Sequence, residues 1–170
     1  IPSTGFVVPA GNDGIQALVS ADSRITPLVA QVDGTNIENT VDVLSAYFTR
    51  RADSAEILLA RDWLVAQLEA IDGLTVTTET FNPAYAPNIV AELPGTTHPE
   101  RVVIVGAHYD SINLAGSELI APGADDNASG VGGVLEVARI LSQAEFDNTI
   151  RFVLFSAEEL GLIGSVAHAI

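Results

Sequence analysis

The sequence contains no cysteine, no lysine and only three histidines, His98, His108 and His168, in 170 residues. Without cysteine there are no disulfides and no thiolate metal ligands, so any metal here is held by imidazole and carboxylate. Without lysine there is no phosphate loop of the Gly-Lys-Ser/Thr kind. Positive charge is scarce altogether: seven arginines against 22 acidic residues leave a formal charge of −15, a balance that repels nucleic acid and anionic membranes. No apolar run is long enough to span a bilayer, and the chain opens at Ile1 without a basic segment leading into an apolar one. These absences predict a soluble, already processed chain with no nucleic-acid or membrane partner. The acidic excess without cysteine suits a secreted protein living in salt, and equally a compositional habit of the source genome.

What is present is a globular composition. Hydrophobic residues make up 48% of the chain, too many for disorder, and the length suits one domain. Residues 1–35 mix Gly, Pro and Asp with short apolar pieces and read as an N-terminal extension with little regular structure. From residue 36 to 170 the patterns are those of a single domain. "IENTVDVLSAYF" (37–48) predicts a short helix. "SAEILLARDWLVAQLEAI" (54–71) places Ile57, Ala60, Leu64, Leu68 and Ile71 on one stripe. "LTVTTETF" (74–81) and "NIVAELPG" (88–95) read as half-buried strands, the second ended by Pro94-Gly95.

"RVVIVGA" (101–107) and "TIRFVLFSA" (149–157) are apolar on both faces, and between them "SGVGGVLEVARILSQ" carries a helical stripe of Val131, Val134, Leu135, Ala138 and Leu141. Strand, helix, strand with both strands nearly all apolar predicts an α/β fold whose mostly parallel sheet is covered by helices.

Ligands of open α/β sheets bind at the carboxyl ends of the strands, and three polar clusters fall there: His108 with Asp110, "GADDNASG" (123–130) before a helix, and Glu158-Glu159 after the last strand. Each has an ordinary explanation, as solvated carboxylates, a helix cap or first-turn charge. One divalent metal site at a single sheet edge accounts for all three, and His with Asp and Glu suits a catalytic zinc or a similar ion. Asp110, two residues beyond His108 on an extended strand end, can reach the ring nitrogen that does not face the metal. The adjacent pair Glu158-Glu159 points two ways, so one carboxylate can coordinate while the other takes a proton from the attacking water.

"GAHYDS", "APGADDNASG" and "FSAEELGLIGS" resemble, in order and spacing, the three blocks of the two-zinc aminopeptidases, the secreted bacterial leucyl-aminopeptidase type of the zinc-exopeptidase superfamily. The resemblance implies a mixed, mostly parallel sheet flanked by helices, with peptide substrates and two zinc ions. It further implies that His108 binds one zinc, Asp126 bridges both, Glu159 binds the other, Glu158 is the general base and Asp110 orients His108. It also implies a cis peptide between Asp126 and Asn127. The family completes its site with an Asp and a His well downstream of the Glu-Glu block, whereas this chain ends at Ile170, eleven residues after Glu159.

His168 lies too close to Glu159 to be the missing ligand and reads as a surface histidine on a helix after Gly161. His98, in the turn "THPE", reads as solvated. Residues 36–170 are therefore expected to be the N-terminal portion of the domain, with its C-terminal part missing, three of five zinc ligands present, and apolar strand edges open to self-association or to a second chain. The other readings are a glutaminyl-cyclase-like single-zinc enzyme and an inactive fragment acting as an assembly module. "SGVGG" has Leu135 where a dinucleotide fingerprint needs its third glycine, and no Gly-x-Ser-x-Gly elbow is present.

Overall fold

The computed structural model describes residues 23, 25–116 and 119–170. The chain divides into two units, Ile1–Val32 and Asp33–Ile170. Most of the expected N-terminal extension, residues 1–22 and 24, lies outside the described residues; its described part contains a short helix, α1 (Ile25–Val29), and its last two residues, Gly34 and Thr35, already belong to the next helix.

The second unit opens with α2 (Gly34–Ser45), three residues earlier than its apolar pattern suggested, because Asp33 caps it with a carboxylate oxygen 2.9 Å from the Thr35 amide. In α3 (Glu56–Glu69) the predicted stripe is the buried one: Ile57, Ala60, Leu64 and Leu68 are all fully buried. Strands β1 (Thr75–Glu79), β2 (Asn88–Leu93) and β3 (His98–His108) follow. Then come a kinked π-type turn (Ala124–Ala128), α4 (Ser129–Leu141), β4 (Asn148–Phe155) and α5 (Ile163–His168).

The sheet order is β1-β2-β4-β3, antiparallel between β1 and β2 and between β2 and β4, and parallel between β4 and β3. It is a mixed α/β sheet as expected, with β3-α4-β4 as its parallel unit, but it is not the mostly parallel sheet expected: two of the three pairings among the described residues are antiparallel, because β1 and β2 join it as an antiparallel pair beside β4. Helix α3 packs on β1 and β2, α4 on β3 and β4, and α2 against α4. The parallel register carries His98 opposite Asn148 and His108 opposite Phe155, so β3 and β4 end side by side.

Three further expectations need correcting. β2 is not half-buried: every residue except Glu92 is buried, because β2 is paired on both sides by β1 and β4. β3 is not covered on both faces: among the described residues it is an edge strand, and Val102, Val103 and Ile104 are 40%, 51% and 51% exposed. His168 is no surface histidine, since its side chain is only 7% exposed and its Nδ1 lies 2.9 Å from Glu79 Oε2. Gly164 explains that burial, because a Cβ there would collide with the Ser156 carbonyl and with Asn88 Oδ1. The close approach folds α5 back so that the His168 ring meets Phe155 edge-on at 5.8 Å. His98 is the first residue of β3, is 44% exposed, and stands 3.5 Å from Glu100.

Candidate metal centre

The centre forms where the parallel pair runs out of apolar residues. The Tyr109 amide extends the ladder by one bond to the Phe155 carbonyl at 2.9 Å, and alternation then sends the Tyr109 ring into the core, where its hydroxyl donates to the Pro87 carbonyl at 2.7 Å. Burial pushes that phenol well above its ordinary range. With Tyr109 anchored inward, His108 and Asp110 are left on the opposite side, next to the turn that follows β4.

That turn is sharp. Ala157 adopts φ +56, a left-handed conformation that residues with a Cβ avoid, and it directs the next two amides at Asp110. The fully buried Asp110 carboxylate accepts from the Glu158 amide through Oδ1 and from the Glu159 amide through Oδ2, both at 3.2 Å. His108 Nδ1 lies 3.2 Å from the Asp110 main-chain carbonyl and 3.5 Å from its carboxylate. Asp110 thus faces His108 as the spacing suggested, and it also seats the Glu-Glu pair, which the spacing did not suggest.

Nε2 of His108 points the other way, 3.0 Å from Asp126 Oδ1 and 3.8 Å from Glu158 Oε2. Asp126 belongs to the kinked turn, is joined to Asn127 by a cis peptide bond, and has a side chain 76% exposed. Asn127 Oδ1 accepts from the Gly130 amide at 3.0 Å and starts α4. One ligand atom each from His108, Asp126 and Glu159 lie within 4.8 Å of one another. Zinc holds such donors at about 2.0–2.2 Å, so two on one ion stand no more than about 4.4 Å apart. The three side chains therefore fit a small divalent cation with only slight movement, and the nitrogen and oxygen donors suit zinc.

Charge at the centre is concentrated and partly desolvated. Burial favours the neutral His108 ring, yet Asp110, Glu158 and Asp126 outweigh it and raise its pKa to about 9. Burial and the neighbouring Asp126 raise the Glu159 carboxyl above its ordinary value. A divalent cation would relieve that repulsion among acids.

Arg50 escaped the sequence reading. It is fully buried beneath the centre, and burial pulls its guanidinium down to about 10 against the pull of Asp110 and Glu159. Its neighbour Arg51 is a surface residue paired with Asp53 at 3.1 Å. Nothing in "TRRADS" separates the two.

The chain is similar in sequence and in fold to known proteins. Residues 88–170, which contain all three polar clusters, match the model of peptidase family M28. The chain is 36% identical over 163 residues to leucine aminopeptidase 1 of Grosmannia clavigera, covering 88% of this chain and 40% of that protein. It is 38% identical over 156 residues to leucine aminopeptidase 1 of Neurospora crassa, covering 84% and 38%. The crystal structure of LapB from Legionella pneumophila superposes with a TM-score of 0.76 at 28% identity, covering 85% of this chain and 40% of LapB. The chain thus spans about two fifths of the length of the curated relatives it matches. A family match over all three clusters, curated relatives and a shared fold converge, and the chain belongs to peptidase family M28.

Proposed function

We propose that this chain carries the catalytic half-site of a zinc aminopeptidase that removes N-terminal residues from peptides. In this reading His108, Asp126 and Glu159 would hold two zinc ions, Asp126 contributing to both and His108 and Glu159 to one each. The observation that carries it is the convergence of those three donors within 4.8 Å, with the Glu158 carboxylate 3.8 Å from His108 Nε2. The names of the fungal relatives support the substrate class. The remaining ligands would come from outside these 170 residues, from the rest of the protein or from a second chain. An extracellular location completes the reading, supported by the acidic balance.

When bound, the ions would act as Lewis acids that polarise the scissile carbonyl and acidify a water. The chain's own residues do the rest. Glu158, with a side chain 34% exposed, is open to solvent from a rigid turn. Its carboxylate takes the proton as the water oxygen bonds to the carbonyl carbon, then delivers it to the amine nitrogen as the C–N bond breaks. Asp110 holds the amides of Glu158 and Glu159 and faces His108, so one buried carboxylate fixes the angle between base and ligands.

The test uses the whole protein containing this chain and a leucyl anilide. Glu158→Gln should keep its zinc and lose turnover by about 10²- to 10⁴-fold, the usual contribution of a general base, whereas Glu159→Ala should lose metal as well. Near-normal turnover by Glu158→Gln would remove Glu158 from the mechanism.

A further inference from the structure

Arg50 makes no ion pair among the described residues; its guanidinium is bonded to main-chain carbonyls. Nε donates to Tyr109 O at 2.8 Å, Nη1 to Leu44 O at 2.7 Å and to Pro122 O at 2.5 Å, and Nη2 to Gly123 O at 3.0 Å. The Arg50 main chain is tied to the same region, its amide donating to Ser111 Oγ at 3.1 Å and its carbonyl accepting from the Ser111 amide at 3.2 Å. A buried cation bonded only to neutral groups is an expensive way to fill space, and an apolar side chain of similar volume often serves the fold as well. What a guanidinium adds is a rigid planar fork whose donors stand at fixed spacing. Its two ends hold the two segments on which the metal centre depends: Tyr109 lies between His108 and Asp110, and Gly123 is three residues before Asp126.

We infer that Arg50 is a positioning residue for the metal centre, whose fork sets the spacing between the His108 strand end and the Asp126 loop before any ion binds. The inference rests on the metal reading given above. It leads to an unusual sign. Arg50 is a positive charge close to a site for positive ions, so by charge alone its removal should strengthen metal binding. By position, its removal should weaken it. The two readings of the same substitution point in opposite directions.

The experiment compares the whole protein containing this chain with its Arg50→Met and Arg50→Lys variants, each checked for cooperative unfolding. Zinc affinity is measured by competition with a chromophoric chelator, and coordination geometry from the visible absorption of bound Co²⁺. Both variants should bind zinc at least about tenfold more weakly, the lower end of what loss of a group supporting the ligands costs. Arg50→Lys should also alter the Co²⁺ spectrum although it keeps the charge, because one ammonium cannot span four carbonyls. Wild-type or tighter affinity in Arg50→Met, or full rescue of affinity and spectrum by Arg50→Lys, overturns the inference.

If neither variant folds, hydrogen exchange on the metal-free wild-type protein decides. Amides of residues 108–111 and 123–128 should be protected nearly as well without zinc as with it, and protection appearing only after zinc is added overturns the inference. A wild-type protein that binds neither ion at millimolar concentration would instead sink the metal reading itself.

Discussion

Gly123 shows how much of the centre depends on single positions. It sits at φ +49, and a Cβ there would stand 2.6 Å from the Asp126 carbonyl, 2.6 Å from Ser111 Cβ and 2.9 Å from Arg50 Nη2. Left-handed backbone alone costs a residue with a side chain about 1–2 kcal/mol, and here the crowding atoms are partly backbone, which cannot swing aside. Gly123→Ala should therefore lose more than about 2 kcal/mol of stability in urea unfolding and weaken zinc binding with it. A Gly123→Ala protein with the wild-type unfolding midpoint would show that the loop is looser than this geometry states.

The site residues were legible unevenly, for physical reasons. The clusters holding His108, Asp126 and the Glu158-Glu159 pair stand out because apolar strands and a helix start point them at one sheet edge, which periodicity reveals; the choice of Asp126 within its cluster rests on the family resemblance alone. The seating of both glutamate amides on Asp110 spans 48 and 49 residues of sequence. Contacts between a side chain and distant backbone leave no periodic trace. Arg50 is hidden for the same reason, since its partners are carbonyls of residues unlike one another.

At the scale of elements, one carboxylate joins two helices. Glu136 lies on the buried face of α4 and is 3% exposed; it accepts from the Asp33 amide at 2.8 Å, from Asn36 Nδ2 at 2.9 Å, and from Arg139 Nε at 2.8 Å. It thereby fixes the start of α2 against α4. The Arg139 hydrogen bonds, outweighing burial, hold the Glu136 carboxyl down at about 2 from an ordinary 4.5. A folded-state value below the unfolded one means stability that is fully present above about pH 4.5 and lost as pH falls toward about 2. Glu136→Gln should flatten that limb of the stability–pH curve, measured by thermal unfolding between those limits. An unchanged acid limb would place the transition in other carboxylates.

Element order was legible where patterns were long, as in α3, α4 and β4. β2 and β3 also stand where their patterns put them, but their burial was not legible, because burial of a strand depends on its neighbours in the sheet. "NIVAEL" and "RVVIVGA" give no sign of which stands at the edge.

At the scale of the molecule, the three donors come from the end of β3, from the loop before α4, and from the turn after β4. An ion bound there ties the parallel pair together, and the unfolded chain offers no equivalent site. Zinc at about 100 times its dissociation constant should add about 2.7 kcal/mol, roughly a 5–11 °C rise in melting temperature for a domain of this size, reversed by a chelator. An unchanged melting temperature at saturating zinc would count against the centre. The free edge of β3 has a separate consequence. Among the described residues no strand pairs with the outer side of β3, where apolar Val102–Ile104 face solvent, and such an edge pairs with another strand. In a solution holding only this chain that strand belongs to a second copy. Sedimentation should show concentration-dependent association that Val103→Lys suppresses, and equal association by both would acquit the edge.

The loop between β3 and the metal turn is pinned at its base. Ser111 Oγ donates to the Ala121 carbonyl at 2.7 Å, and the Ala121 amide donates to the Phe48 carbonyl at 2.8 Å. The described residues between 112 and 120 hang from that closure. Surface loops anchored in this way tolerate insertion and exchange, since their length does not reach the scaffold. A change in the length of that loop should therefore leave His108, Asp126 and Glu159 in place, since its closure is made by Ser111, Ala121 and Phe48 outside the part that changes.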